Sequence, residues 1–172
     1  QTVATAGSLD VAVGANNPTS TAVVRTASNA VMGQFRIQVS QAEALNVSTV
    51  TVTNSGTGAT SNVTTVRLVL DINNNGVVDA TDTTMGTGTL SGATATINVN
   101  RTLAASTIEH WIVAYDLNAP VGELGNTHNV TLANGSIAGT GQSSLNALVL
   151  TGTPAAGGAK TLTDGSPILT VS

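Results

Sequence analysis

The chain carries nine acidic side chains in 172 residues, and three of them, Asp71, Asp79 and Asp82, fall inside one run of twelve positions. The run reads Asp71-Ile-Asn73-Asn-Asn75-Gly76-Val77-Val78-Asp79-Ala-Thr-Asp82. Calcium is a hard cation that takes about six to eight oxygens, and a loop of this length can offer them from its first, third, fifth, seventh, ninth and last positions. Here those positions supply the side chains of Asp71, Asn73 and Asn75 and the carbonyl of Val77. Asp79 acts directly or through a water, and Asp82 closes the loop. Gly76 stands where such a loop must turn sharply, and Val78 is placed to pack inward and hold the loop to the core. Three carboxylates with three neutral oxygens point to affinity in the micromolar to millimolar range, which suits a calcium-rich extracellular setting and a structural ion. The alternative is an Asn/Gly-rich turn that binds nothing.

No other constellation matches a known chemistry. The chain has two histidines, His110 and His128, and no cysteine, which excludes disulfides and thiolate metal sites. No Gly-x-Ser-x-Gly elbow, His-Glu-x-x-His pair or phosphate loop occurs. Glu109, Asp116 and Glu123 show no pairing that would suit glycoside hydrolysis. No catalytic residue is assigned, and an enzyme is not expected. Lys160, the sole lysine, reads as a solvated side chain, the alternative being an isopeptide crosslink to an asparagine. Trp111, Val113 and Tyr115 share one face of an alternating run, which fits core filling better than a binding platform.

The elements that would position the loop are strands. Phe35, Ile37 and Val39 alternate with Gln34, Arg36 and Gln38; Val66, Leu68, Leu70 and Ile72 alternate with Arg67 and Asp71. Val50 and Val52 alternate with threonines, and Ile97 and Val99 with Thr96, Asn98 and Asn100. A period of two marks strands with one buried face. Turn clusters such as Asn54–Gly58 and Ala155–Gly158 separate them. We place strands near 9–13, 21–26, 31–40, 46–53, 64–72, 86–90, 94–100, 107–117, 128–133, 147–151 and 168–171. Residues 41–45 and 80–84 are each expected to hold a helical turn at most. The expected architecture is all-β, an immunoglobulin-like Greek-key β-sandwich with additional strands, in a single elaborated domain spanning 1–172.

Composition narrows the partners. Charged residues are 8% of the chain, far below the roughly 25% of ordinary soluble domains. The net charge of −4 and four scattered arginines supply no basic stripe, so nucleic acid is not expected. No segment approaches the about eighteen apolar residues of a membrane span, so no membrane insertion is expected. A surface of hydroxyls and amides suits packing against copies of itself. The ends also resemble each other: Gly7-Ser-Leu-Asp-Val-Ala-Val13 and Gly165-Ser166-Pro167-Ile168-Leu169-Thr170-Val171 both run from Gly-Ser into an apolar strand. Either short Thr/Val strands simply look alike, or the last strand is a donor that fills a neighbour's sheet edge. Pro167 suits such a terminal or edge strand.

The loop at Asp71–Asp82 resembles that of the EF-hand, and more closely its dockerin variant, because its last ligand is Asp where the EF-hand has Glu. The flanking helices have no counterpart, since Thr65–Leu70 alternates as a strand. The shorter Asp82 reaches the ion with one oxygen where Glu would give two. With Gly33-Gln-Phe-Arg-Ile37, Val50-Thr-Val-Thr-Asn54 and Trp111-Ile-Val-Ala-Tyr-Asp116, the chain resembles immunoglobulin-like β-sandwich modules of prokaryotic cell-surface and secreted proteins over residues 7–120. The resemblance implies an exported, Ca2+-stabilised building block, extracellular or at the cell surface. Two readings follow. One is a pilus-like structural subunit of a self-assembling fibre, filament or surface layer, whose partners are copies of itself joined by donor strand complementation. The other is an adhesive or carbohydrate-binding module of a larger secreted protein, which would need exposed aromatics that three such residues poorly supply.

Overall fold

The computed structural model describes residues 5–133, 135–152 and 154–165. Thirteen strands run in order: β1 Ser8–Val13, β2 Thr21–Val24, β3 Ala30–Val39, β4 Leu45–Ser55, β5 Val63–Leu70, β6 Thr83–Gly88, β7 Thr94–Leu103, β8 Ile108–Leu117, β9 Thr127–Leu132, β10 Ile137–Gly141, β11 Val149–Thr151, β12 Ala155–Ala156 and β13 Lys160–Thr163. Single 3-10 turns lie at Thr60–Asn62 and Val121–Glu123, and not at the two places expected to be helical.

The strands form two facing sheets. The first has the order β11-β1-β3-β8-β5-β6, and the second β10-β4-β9-β13-β2, with β7 on the outer side of β4 and β12 beside β9. Within them β1-β3-β8-β5 and β4-β9-β13 reproduce the ABED and CFG sheets of an immunoglobulin domain, in the same chain order. The remaining strands are additions: β2 runs parallel to β13, β6 and β7 are inserted between D and E, and β10–β12 between F and G. The all-β, immunoglobulin-like sandwich expected from the sequence is the fold observed.

Alternation explains the core. Phe35, Ile37 and Val39 of β3, Trp111, Val113 and Tyr115 of β8, and Val50 and Val52 of β4 turn inward and are buried in one cluster shared by both sheets. All three aromatics are completely buried, so none offers a surface platform. Buried hydrocarbon is worth about 25 cal/mol per Å2, which makes this shared interior the main source of stability. A buried polar contact lies within it. Asn54 Oδ1 and His128 Nδ1 are 3.2 Å apart and buried, with the Tyr115 ring edge-on to the imidazole.

One flank of the sandwich is closed. Glycines in β6 let it lie against β7: a Cβ on Gly86 would stand 2.6 Å from the Asn98 carbonyl oxygen. On the other flank β11 and β2 end their sheets, each paired on one side only among the described residues.

Several expectations need correction. Strand β5 stops at Leu70, because Asp71 already belongs to the loop. Strand β12 falls within the turn read at Ala155–Gly158, and β10 and β13 lie where no strand was placed. Lys160 is not solvated: it is buried, and its Nζ donates to the Thr19 carbonyl at 2.7 Å and to Thr21 Oγ1 at 3.1 Å. No asparagine is among the hydrogen-bond partners of that nitrogen among the described residues. The proposed donor strand lies outside the described residues apart from Gly165, whose φ is +66°.

Candidate functional site

The loop leaves the end of β5 and folds back over the outer face of the first sheet. Val69, Ile112 and Ala114 point outward there yet are buried, and Val78 packs on them with Val31. The inward role expected of Val78 is therefore met on the outer face of the sheet. Asp71, at the root, is buried and accepts from three donors. Its Oδ1 takes the Asn75 N–H at 3.1 Å, and its Oδ2 takes the Gly76 N–H at 2.9 Å and Gln34 Nε2 at 2.7 Å. Its own N–H donates to the His110 carbonyl at 2.9 Å.

The other loop side chains turn inward by short-range hydrogen bonds. Asn73 Oδ1 accepts the Asn75 N–H, and Asn75 Oδ1 the Val77 N–H at 2.8 Å. The amides of Asn73 and Asn75 both donate to Asp79 Oδ2, at 3.0 and 2.8 Å. Asp79 Oδ1 accepts the Thr81 hydroxyl and N–H, and these bonds, with those from Asn73 and Asn75, hold its carboxyl well below the usual range. Asp82 accepts from the N–H groups of Ile72 and Asp79 and so joins the two ends of the loop. Val77 is exposed.

Hydrogen bonds thus join Asn73 and Asn75 to Asp79, tie Asp71 to the Asn75 N–H, and leave Asp82 holding the two ends of the loop together. The donor set is entirely hard oxygen, and the amide protons of Asn73 and Asn75 meet at one carboxylate oxygen. Turning either amide to present oxygen to Asp79 would give up the bond that the amide's Oδ1 accepts from the Asn75 or Val77 N–H, and among the described residues no three acidic or histidine side chains converge as a metal-holding group.

Sequence reasoning missed the clasp that seats the loop. Gln34 falls on the polar side of β3, and its side chain is completely buried there. Its amide donates to Asp71 and, at 2.9 Å, to Asn74 Oδ1, while its Oε1 accepts the Asn16 N–H at 2.9 Å. Its backbone N–H donates to Asn17 Oδ1. Asn16 Nδ2 in turn donates to the Asn74 carbonyl at 2.6 Å. One glutamine therefore ties the β1–β2 connection to the loop. Gly76, with φ +75°, lies so close that a Cβ there would overlap the Asn16 carbonyl oxygen. No local pattern signals this, since the partners are separated by up to 58 residues.

The remaining candidates are paired structurally. Glu109 takes both Arg101 Nε and Nη2, at 2.8 and 2.6 Å, and the Trp111 indole N–H at 2.8 Å. Asp116 pairs with Arg67 and accepts the Asn29 N–H. Glu123 binds Asn126 and the Ala59 N–H. Glu109 and His110 border a shallow hollow of about 220 Å3 with Leu70, Asp71, Ile72 and Ile108. No helix is long and apolar enough to cross a membrane among the described residues.

No family model matches the chain, and no curated protein does. Among solved structures it is similar to BcpA, the major pilin subunit of Bacillus cereus, at 13% identity and a TM-score of 0.35. The match covers 91% of this chain and 40% of the pilin, so the chain spans less than half that protein's length.

Proposed function

We propose that the chain is a non-catalytic structural subunit of an extracellular, pilus-like fibre or surface layer, held rigid by Ca2+ and joined to its copies by strand exchange. The observation that carries this reading is the asymmetry of the sandwich flanks. One flank is sealed by β6 against β7, while on the other β11 and β2 are, among the described residues, short edges paired on one side only. A free edge presents unpaired N–H and C=O groups and accepts an added strand. Ile168–Val171, an apolar run after a proline that suits a strand start, has the composition of such a strand.

In the same reading Asp71, Asn73, Asn75 and Asp79 hold the ion with the Val77 carbonyl, and Asp82 closes the loop. The ion supplies positive charge among three carboxylates. Gln34 orients Asp71, and Val78 keeps the loop seated on the sheet. The burial of Phe35, Trp111 and Tyr115 removes the aromatic surface that a carbohydrate-binding module would use.

Light scattering of the purified chain with millimolar calcium and then with chelator, followed by negative-stain microscopy, tests the proposal. Filaments or large oligomers that depend on calcium are expected. A monomer under both conditions would sink the self-assembling reading.

A further inference from the structure

The few charges of this chain are not spread evenly over its two sheets. Strands of the first sheet carry Asp10, Arg36, Arg67, Glu109 and Asp116. In the second sheet the only charged residues are Arg101 and Lys160. Both leave its outer face: Arg101 reaches across the sandwich edge to Glu109 of β8, and Lys160 is buried. What remains outside is mostly threonine, asparagine and serine, with Ala22 and the exposed Val24 on the β2 margin. Thr96 lies opposite Thr51 and Thr94 opposite Thr53, with Thr131 beyond Thr53 on β9. The Thr51 and Thr96 hydroxyls are 3.2 Å apart.

We infer that this uncharged outer face of the second sheet is a stacking surface for the same face of a second copy of the chain. The inference rests on the self-assembling reading above and adds to it a lateral contact distinct from strand exchange. Two copies each carry a net charge of −4, so contact is least opposed where neither brings a charge. Hydroxyls and amides both donate and accept, so the face complements itself about a two-fold axis without a partner of opposite charge. At about 4.8 Å between strands and about 3.4 Å per residue, five strands of six residues span roughly 24 by 20 Å. That is about 480 Å2 in plan for each copy, below the roughly 800 Å2 per partner of a stable pair. A single contact of this size is weak, and it becomes effective when a fibre presents many at once.

Sedimentation across a concentration series tests this with wild type, Thr96→Glu/Thr131→Glu, Thr96→Lys/Thr131→Lys, an equimolar mixture of the two double variants, and Thr87→Glu on β6 as a control. Thermal melts confirm that each is folded. Both double variants are expected to lose association at least about tenfold. The mixture should regain it, and Thr87→Glu should behave as wild type. If calcium-grown filaments form, the Glu variant should still polymerise end to end but fail to bundle in negative stain. Bundling and association unchanged in the double variants would overturn the stacking face and leave the fibre reading intact. Wild-type filaments that never bundle, with no association in sedimentation, would have the same effect. A wild-type chain that neither associates nor polymerises removes both. Capture of a monomeric wild type by insoluble polysaccharide, lost in the double variants, would assign the face to sugar and refute the copy as its occupant.

Discussion

Replacing Gln34 by leucine keeps most of the side-chain volume and removes every polar atom of the clasp. Three side-chain hydrogen bonds go. The one to the Asp71 carboxylate is charge-assisted and worth about 1.5–3 kcal/mol, and the two neutral ones about 0.5–1.5 kcal/mol each. The full sum overstates the loss, because Asn74 Oδ1 and the Asn16 N–H can turn to water, and Asp71 keeps its bonds from Asn75 and Gly76. A net destabilisation of about 2–3 kcal/mol remains, which for a chain of this length lowers Tm by about 4–12 °C. The effect is also local. With the loop unclasped, Val69, Ile112 and Ala114 lose their cover, and the amides of Asn75 and Gly76 exchange faster with deuterium than in wild type. Calorimetry with hydrogen exchange measures both. A melt within about 1 °C of wild type, or a lower Tm with unchanged exchange at Asn75 and Gly76, would refute the clasp.

Three further outcomes are expected. Free calcium about a hundredfold above its Kd should stabilise the chain by about 2.7 kcal/mol, and Asp79→Ala should abolish the gain, as followed by melts with calcium and with chelator. Acid should act in two stages. Burial lowers the His128 pKa from 6.5, Glu123 opposing weakly, so below that pH the unfolded chain takes up a proton that the fold refuses and stability declines. The Ser144 hydroxyl, helped by the N–H groups of Ser144, Ser143 and Gly7, holds the Glu43 carboxyl at about 2 against an ordinary 4.5. That contribution is complete above pH 4.5 and disappears as pH falls towards 2, so melts against pH should show Glu43→Gln flattening the acid limb and His128→Phe the limb nearer neutrality. Gly76→Ala should cost about 2–4 kcal/mol in a denaturant titration, because the alanine is strained at φ +75° and its Cβ meets the Asn16 carbonyl.

Much of the sandwich could be read from period two alone. Where one face of a strand is buried and the other wet, as in β4, β7 and β9, alternation names the inward residues directly. The signal fails where strands are short or glycine-rich. Ile137-Ala-Gly-Thr-Gly141 and Lys160-Thr-Leu-Thr163 have too few alternating positions to register, and Ala155–Ala156 has none. Lys160 illustrates a second limit. A lysine is assigned to solvent by type, yet here its ammonium finds the Thr19 carbonyl and the Thr21 hydroxyl, groups about 140 residues earlier in the chain.

The sequence by itself determined the spacing of oxygens from Asp71 to Asp82, the sharp turn at Gly76, the alternation that builds the sheets and the scarcity of charge. These are local properties, set by residue type and separation along the chain. Tertiary structure alone decided that the loop lies on the outer face of a sheet, that Gln34 is its clasp, and that one sheet face is left without charge. Each of these depends on which strands become neighbours, and pairing between residues far apart in sequence follows from the packing of the whole core, which no short stretch encodes.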